Sequence, residues 1–181
     1  MGSWEFVMIF MLVLIGAGVT NILHGVGRLL LERERVRFSW VHGVWLTVLA
    51  FTYISVWFSF YSEQGMAYNF WEFIGFFLSF GLLHLLTVLS FPDFAVAGRL
   101  DLREHFMRHH RPYFGVWTLV WLSGLASTVV TGNGLAWSAE AIWPCVYSIL
   151  SVSGVLWRSE RVHARLALAI VAAILLQIVG P

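Results

Sequence analysis

The chain has 181 residues, 59% of them hydrophobic and only 12% charged, with a net charge of +1. A soluble domain carries about twice that share of charge, so the composition points to an integral membrane protein. The single cysteine, Cys145, excludes an internal disulfide and a Cys-x-x-Cys pair, and the absence of lysine excludes a retinal Schiff base.

The N-terminus, Met1-Gly2-Ser3-Trp4-Glu5, has no basic stretch before its apolar run and no cleavage site after it. No signal peptide is expected, nor a myristoylation signal, and the first apolar segment should be retained. Six spans follow, over about 4–30, 40–61, 70–91, 113–131, 139–157 and 164–179, within a single transmembrane domain covering 1–181. At about 1.5 Å per residue the first exceeds a bilayer core of roughly 30 Å. Glu32, Arg33, Glu34, Arg35 and Arg37 form a charged turn after it, and 62–69 is a short polar loop. Pro92-Asp93 ends the third span. The segment 93–111 is the one long connection. In it Phe94, Leu100, Leu102, Phe106 and Met107 interleave with arginines, and Asp101-x-x-Glu104 reads as a capping box. This pattern predicts a short interfacial helix between spans three and four. Arg99, Arg103, Arg108 and Arg111 would reach from it to anionic lipid headgroups. Gly132-Asn133-Gly134 reads as a turn. The fold class expected is therefore an all-α integral membrane protein with six transmembrane helices.

Arginine sets the orientation. All eleven basic residues fall at the first, third and fifth connections, which puts that side in the cytoplasm and both termini outside. With six acids on the same side the inner face carries +5, against −4 from Glu5, Glu63, Glu72 and Glu140 outside. Glu5, Glu72 and Glu140 each open an odd-numbered span, 67 and 68 residues apart, and Trp4-Glu5-Phe6 returns as Trp71-Glu72-Phe73. Gly43-Val-Trp45 likewise matches Gly115-Val-Trp117. The reading is three helical hairpins built to one pattern. An acid and a Trp at a helix start are also what the helix dipole and the aromatic belt select without any repeat.

Polar groups at membrane depth are costly to bury and mark function. Gly16, Thr20, His24 and Arg28 step by four along the first span and so share a face, with Asn21 beside it. That face is expected to look into the bundle. The third span offers His84, and the fifth Tyr147 and Ser151. A polar cavity or pore lined by Thr20, Asn21, His24, Arg28, His84, Tyr147 and Ser151, with an arginine-rich mouth, would conduct an ion or small solute. Small and hydroxyl residues can equally serve only to glue helices together.

All seven histidines lie in the cytoplasmic half. Water near helix ends accounts for them without any ligand. Two further readings are a metal site and haem. His105 and His109 stand at i, i+4, a spacing that can place two imidazoles on one metal, with His110 adjoining. The string His105-x-x-x-His109-His110 resembles one histidine box of membrane fatty-acid desaturases and hydroxylases. A second such box is missing, and seven histidines fall one short of the usual set. His24 and His84 could be axial haem ligands. No cofactor is demanded by any motif.

Gly16-x-Gly18-Val-Thr20 through His24-Gly-Val-Gly27-Arg28-Leu-Leu30, with Arg103-Glu-His105-Phe-x-Arg108-His, resembles a loose group of small bacterial multi-span proteins of no assigned function. The resemblance implies a bacterial inner-membrane location and no activity. The leading functional expectation is a small homo-oligomeric channel or transporter for an ion or small solute. A metal- or haem-binding membrane enzyme and a lipid-interacting accessory subunit are the alternatives. The partners expected are an anionic bilayer and further copies of the chain, with no nucleic acid.

Overall fold

The computed structural model describes residues 3–62, 69–96, 98–130 and 139–179. The Gly132-Asn133-Gly134 turn and Glu63 lie outside them. Six helices form: α1 (Ser3–Leu31), α2 (Trp40–Ser62), α3 (Phe70–Leu89), α4 (Leu102–Val130), α5 (Ala139–Leu156) and α6 (Glu160–Val179). Two two-residue strands, β1 (Val36–Arg37) and β2 (Leu100–Asp101), pair in parallel between the α1–α2 and α3–α4 connections. Among the described residues, α1, α2 and α3 are long and apolar enough to cross a membrane, and α5 holds a shorter apolar stretch, Ile142–Leu156.

Local chemistry explains where the helices start. Asn69 caps α3: its side-chain oxygen accepts from the Trp71 and Glu72 backbone N–H groups at 2.9 and 3.1 Å, and Glu72 accepts from the Asn69 N–H at 2.7 Å. Two orphan donors are thereby satisfied reciprocally. Asp101 starts α4 by accepting from the Arg103 and Glu104 N–H groups at 2.9 and 3.0 Å. Glu104 does not complete that box and pairs with Arg108 instead, at 2.6 Å.

The separate interfacial helix does not form. From Leu102 the chain is one continuous 29-residue helix, with Pro112 inside it. Proline removes one backbone donor and its ring crowds the carbonyl of the preceding turn, a cost the helix carries without ending. The charged segment and the apolar segment are thus one continuous helix.

Around the bundle the helices neighbour one another in the order α1, α3, α4, α5, α6, α2, with α2 also reaching α3 and α4. The members of each expected hairpin are adjacent. The first hairpin runs round the bundle in the opposite sense to the other two, so the packing does not repeat a single unit three times. The core is aromatic. Trp45 of α2 meets Phe114 of α4 edge-on at 4.7 Å, Phe114 stacks on His163 of α6 at 5.0 Å, and Trp121 of α4 lies against Tyr147 of α5 at 4.5 Å. On the other side Phe10 of α1 packs on Phe73 of α3 at 5.1 Å.

Candidate functional site at the arginine end

The three arginine-bearing connections meet at one end of the bundle. Glu32 is the knot. Arg28 reaches one of its oxygens at 2.6 Å, and Arg35 reaches the other. Arg35, before Arg28, holds the Glu32 carboxyl below the usual carboxylate range. Arg35 also donates to the Phe94 and Val96 carbonyls at 2.7 and 2.8 Å, while Arg28 lies over the Phe94 ring at 4.9 Å. The α3–α4 connection is thereby fixed to the end of α1. Leu100 adds a backbone bond to Arg35 at 2.8 Å, and Arg37 meets Asp101 at 3.3 Å. Arg103 ties the α5–α6 turn to the same platform through Glu160 at 2.5 Å. Arg28, expected to line a pore, is half-buried in this platform.

The four arginines expected at lipid headgroups separate. Arg103 is committed to Glu160. Arg111 is exposed on α4. Arg99 and Arg108 line a cavity of about 470 Å³ between the end of α3, the 93–99 connection and the first turns of α4, together with His105 and His109.

Helical periodicity also divides the histidines. The His105 and His109 rings lie 4.6 Å apart. His110, one residue on, is turned into the core. A carbonyl can only accept, which fixes the neutral tautomers. His105 donates from Nε2 to the Leu89 carbonyl at 3.1 Å, and His109 donates from Nδ1 to the His105 carbonyl at 3.0 Å. The neutral form of each keeps one bare nitrogen, Nδ1 of His105 and Nε2 of His109. Burial pushes His105 down to about 4, against the partial support of the Leu89 carbonyl, so it is neutral near pH 7. The expected trio of His105, His109 and His110 is not assembled. Among the described residues no three metal-ligating side chains gather.

His110 instead faces His163, with ring centroids 5.5 Å apart. His110 Nδ1 donates to the Met107 carbonyl at 2.8 Å. Its Nε2 and both ring nitrogens of His163 are buried without a hydrogen bond of good geometry. Burial first, then His110, pushes His163 down to about 4. Nothing in the local sequence announced this pair, because its two members are 53 positions apart.

The residues expected to line one cavity fall in four places, of which the arginine platform, holding Arg28, is one. Thr20 and His24 are exposed on the outer face of α1, contrary to the expectation that this face looks into the bundle. Asn21 turns to α3 and donates to the Thr87 hydroxyl at 2.8 Å, which in turn donates to the His84 carbonyl at 2.7 Å. His84 is half-buried with an unpartnered Nδ1. Tyr147 and Ser151 are buried on α5, which packs on α4 and α6. Within one chain they do not meet the α1 face. The reason is that four-residue spacing defines a shared face but not the direction in which it points.

Comparison with protein-family models, with curated proteins and with solved structures finds no match to this chain.

Proposed function

We propose that this chain is an integral membrane protein whose six helices all cross the bilayer, with the arginine end in the cytoplasm. Copies associate through the polar face of α1 to enclose a path for an ion or small solute. The observation that carries this reading is the placement of Thr20 and His24: exposed, on a helix apolar enough to cross a membrane. His24 lies seven residues beyond the middle of α1, about 10 Å along its axis, and so inside a hydrocarbon layer of roughly 30 Å. An imidazole facing lipid there is costly, whereas one facing water or a second protein surface is not. Gly16 and Gly27 have open space where a side chain would be, which leaves room for a close neighbour. The arginine platform would form the inner mouth and favour anions. α4 opens with a charged stretch, Arg103 to Arg111, which sits at the headgroups while its apolar remainder spans; α6 needs its full 20 residues, with Arg161 and Arg165 reaching back to the headgroups.

The test is solute flux in liposomes holding the purified protein, with anions, cations and small neutral solutes tried in turn. Flux above that of empty liposomes, cut at least tenfold by His24→Ala or Thr20→Leu, supports the path. Liposomes no leakier than empty ones overturn it.

A further inference from the structure

The 470 Å³ cavity has two unlike walls. One is apolar and opens outward: Val88 and Val96 line it and are 52% and 56% exposed. The other carries both signs of charge, Arg99 and Arg108 against Asp93, Asp101 and Glu104. Arg99 makes no ion pair among the described residues. Among the described residues Arg108 is held only by the Glu104 pair, whose side chains are 69% and 68% exposed. Such a pair is worth little in water and yields to a better partner. Asp93 uses one oxygen to accept from the Ala95 N–H at 2.9 Å, which leaves the other available. His105 and His109 line the cavity as well, and the bare ring nitrogen of a neutral imidazole accepts a hydrogen bond and donates none.

This inventory discriminates between ligands. A simple anion would bring its charge beside three carboxylates. A simple cation would meet two arginines. A group carrying a phosphate and an N–H-bearing ammonium satisfies both sets. An adjoining pair of acyl chains satisfies the apolar wall.

We propose that this cavity binds the phosphoethanolamine headgroup of a zwitterionic phospholipid. Arg99 and Arg108 hold the phosphate, Asp93 and the bare histidine nitrogens accept from the primary ammonium, and the acyl chains leave along Val88 and Val96. The proposal rests on the reading that α3 and α4 cross a bilayer. A quaternary ammonium has the same charge but no N–H, so phosphatidylcholine is the decisive comparison.

The experiment is native mass spectrometry of the detergent-purified protein titrated with phosphatidylethanolamine, phosphatidylcholine and phosphatidylglycerol of equal chain length. Phosphatidylethanolamine should bind at least tenfold more tightly than either of the others. Asp93→Asn should reduce that preference over phosphatidylcholine to within twofold. Arg99→Gln, an exposed position, should weaken phosphatidylethanolamine at least fivefold. Free phosphoethanolamine that competes at comparable concentration supports the chemistry and makes the ligand a soluble one; failure to compete supports the lipid. Equal binding of phosphatidylethanolamine and phosphatidylcholine, or tightest binding of phosphatidylglycerol, overturns the site. Protein that floats with vesicles yet shows no headgroup preference overturns this site alone, whereas protein that stays in the soluble fraction overturns the membrane reading with it.

Discussion

Arg35 illustrates how one side chain can hold a platform. Its guanidinium spans a carboxylate on one connection and three carbonyls on another, those of Phe94, Val96 and Gly98, and its own carbonyl accepts from Leu100. Charge-assisted bonds of this kind are worth about 1.5–3 kcal/mol each where water is partly excluded. The Arg35 side chain is 30% exposed, which lowers that worth. Arg35→Ala should therefore destabilise the protein by about 1–3 kcal/mol and expose the 93–99 connection to protease, both measurable in detergent; unchanged melting and cleavage would remove the platform from this account. His163 gives a pH dependence of definite sign. Its folded-state value of about 4 lies below the ordinary 6.5, so the unfolded chain binds more protons between those values. Stability should be constant above about pH 6.5 and fall on acidification towards pH 4, by roughly 3 kcal/mol from this residue. His105 acts in the same direction. The check is a series of unfolding curves from pH 8 to pH 4 on wild type and His163→Phe, in which the variant should lose much of the acid sensitivity.

At the scale of the element, glycines mark where helices touch and where they do not. A Cβ at Gly25 of α1 would sit 2.5 Å from the Phe91 ring, and one at Gly154 of α5 would sit 2.5 Å from the Phe114 ring. Alanine at either position forces an aromatic ring to move, the half-buried Phe91 or the buried Phe114, at a cost of about 1–3 kcal/mol. Gly16 and Gly27 on the same α1 meet nothing. Within one chain Gly16→Ala should stabilise the helix by about 0.5–1 kcal/mol. Gly16→Leu should leave the single chain folded and still break an assembly that packs on this face. Size-exclusion with light scattering separates the outcomes, and an unchanged assembly mass for Gly16→Leu would place the interface elsewhere. Much of this layer was legible in the sequence. Hydropathy and the breaks at Glu32 to Arg37 and Pro92 located six helices because apolar length is a local property. Asn69-x-x-Glu72 carries a capping signal beyond the acid at the helix start, and the structure forms it. The unbroken α4 was not legible. Proline and a run of charge both argue for a boundary, but the helix runs on through Pro112 despite the lost bond and the ring's clash with the preceding turn, and the arginines are exposed. The Val36–Arg37 and Leu100–Asp101 pairing is too short to leave any alternation.

For the whole molecule, the charge pattern set which connections would gather at one end, and the contacts among Arg35, Leu100, Arg103 and Glu160 bring those connections together. The candidate site was legible only in parts. His105 and His109 were identifiable as a pair from spacing, while the partition of arginines between Glu160, the cavity and the exposed surface depends on contacts made across tens of residues. The direction of the α1 stripe was read inverted, because periodicity is silent on which face is buried. That stripe now carries the functional proposal, and it can be tested directly. Cysteines are placed singly at Thr20 and His24 and, off the polar stripe on the same helix, at Leu12 and Val19, in a Cys145→Ser background and reconstituted in liposomes. All four wild-type positions are exposed in the isolated chain. If α1 lines a watery path, Thr20→Cys and His24→Cys react with a water-soluble thiol reagent, while Leu12→Cys and Val19→Cys, exposed but off the stripe, react only with a lipid-soluble one. The same reagent profile at all four positions would contradict the path and leave the polar face of α1 in lipid.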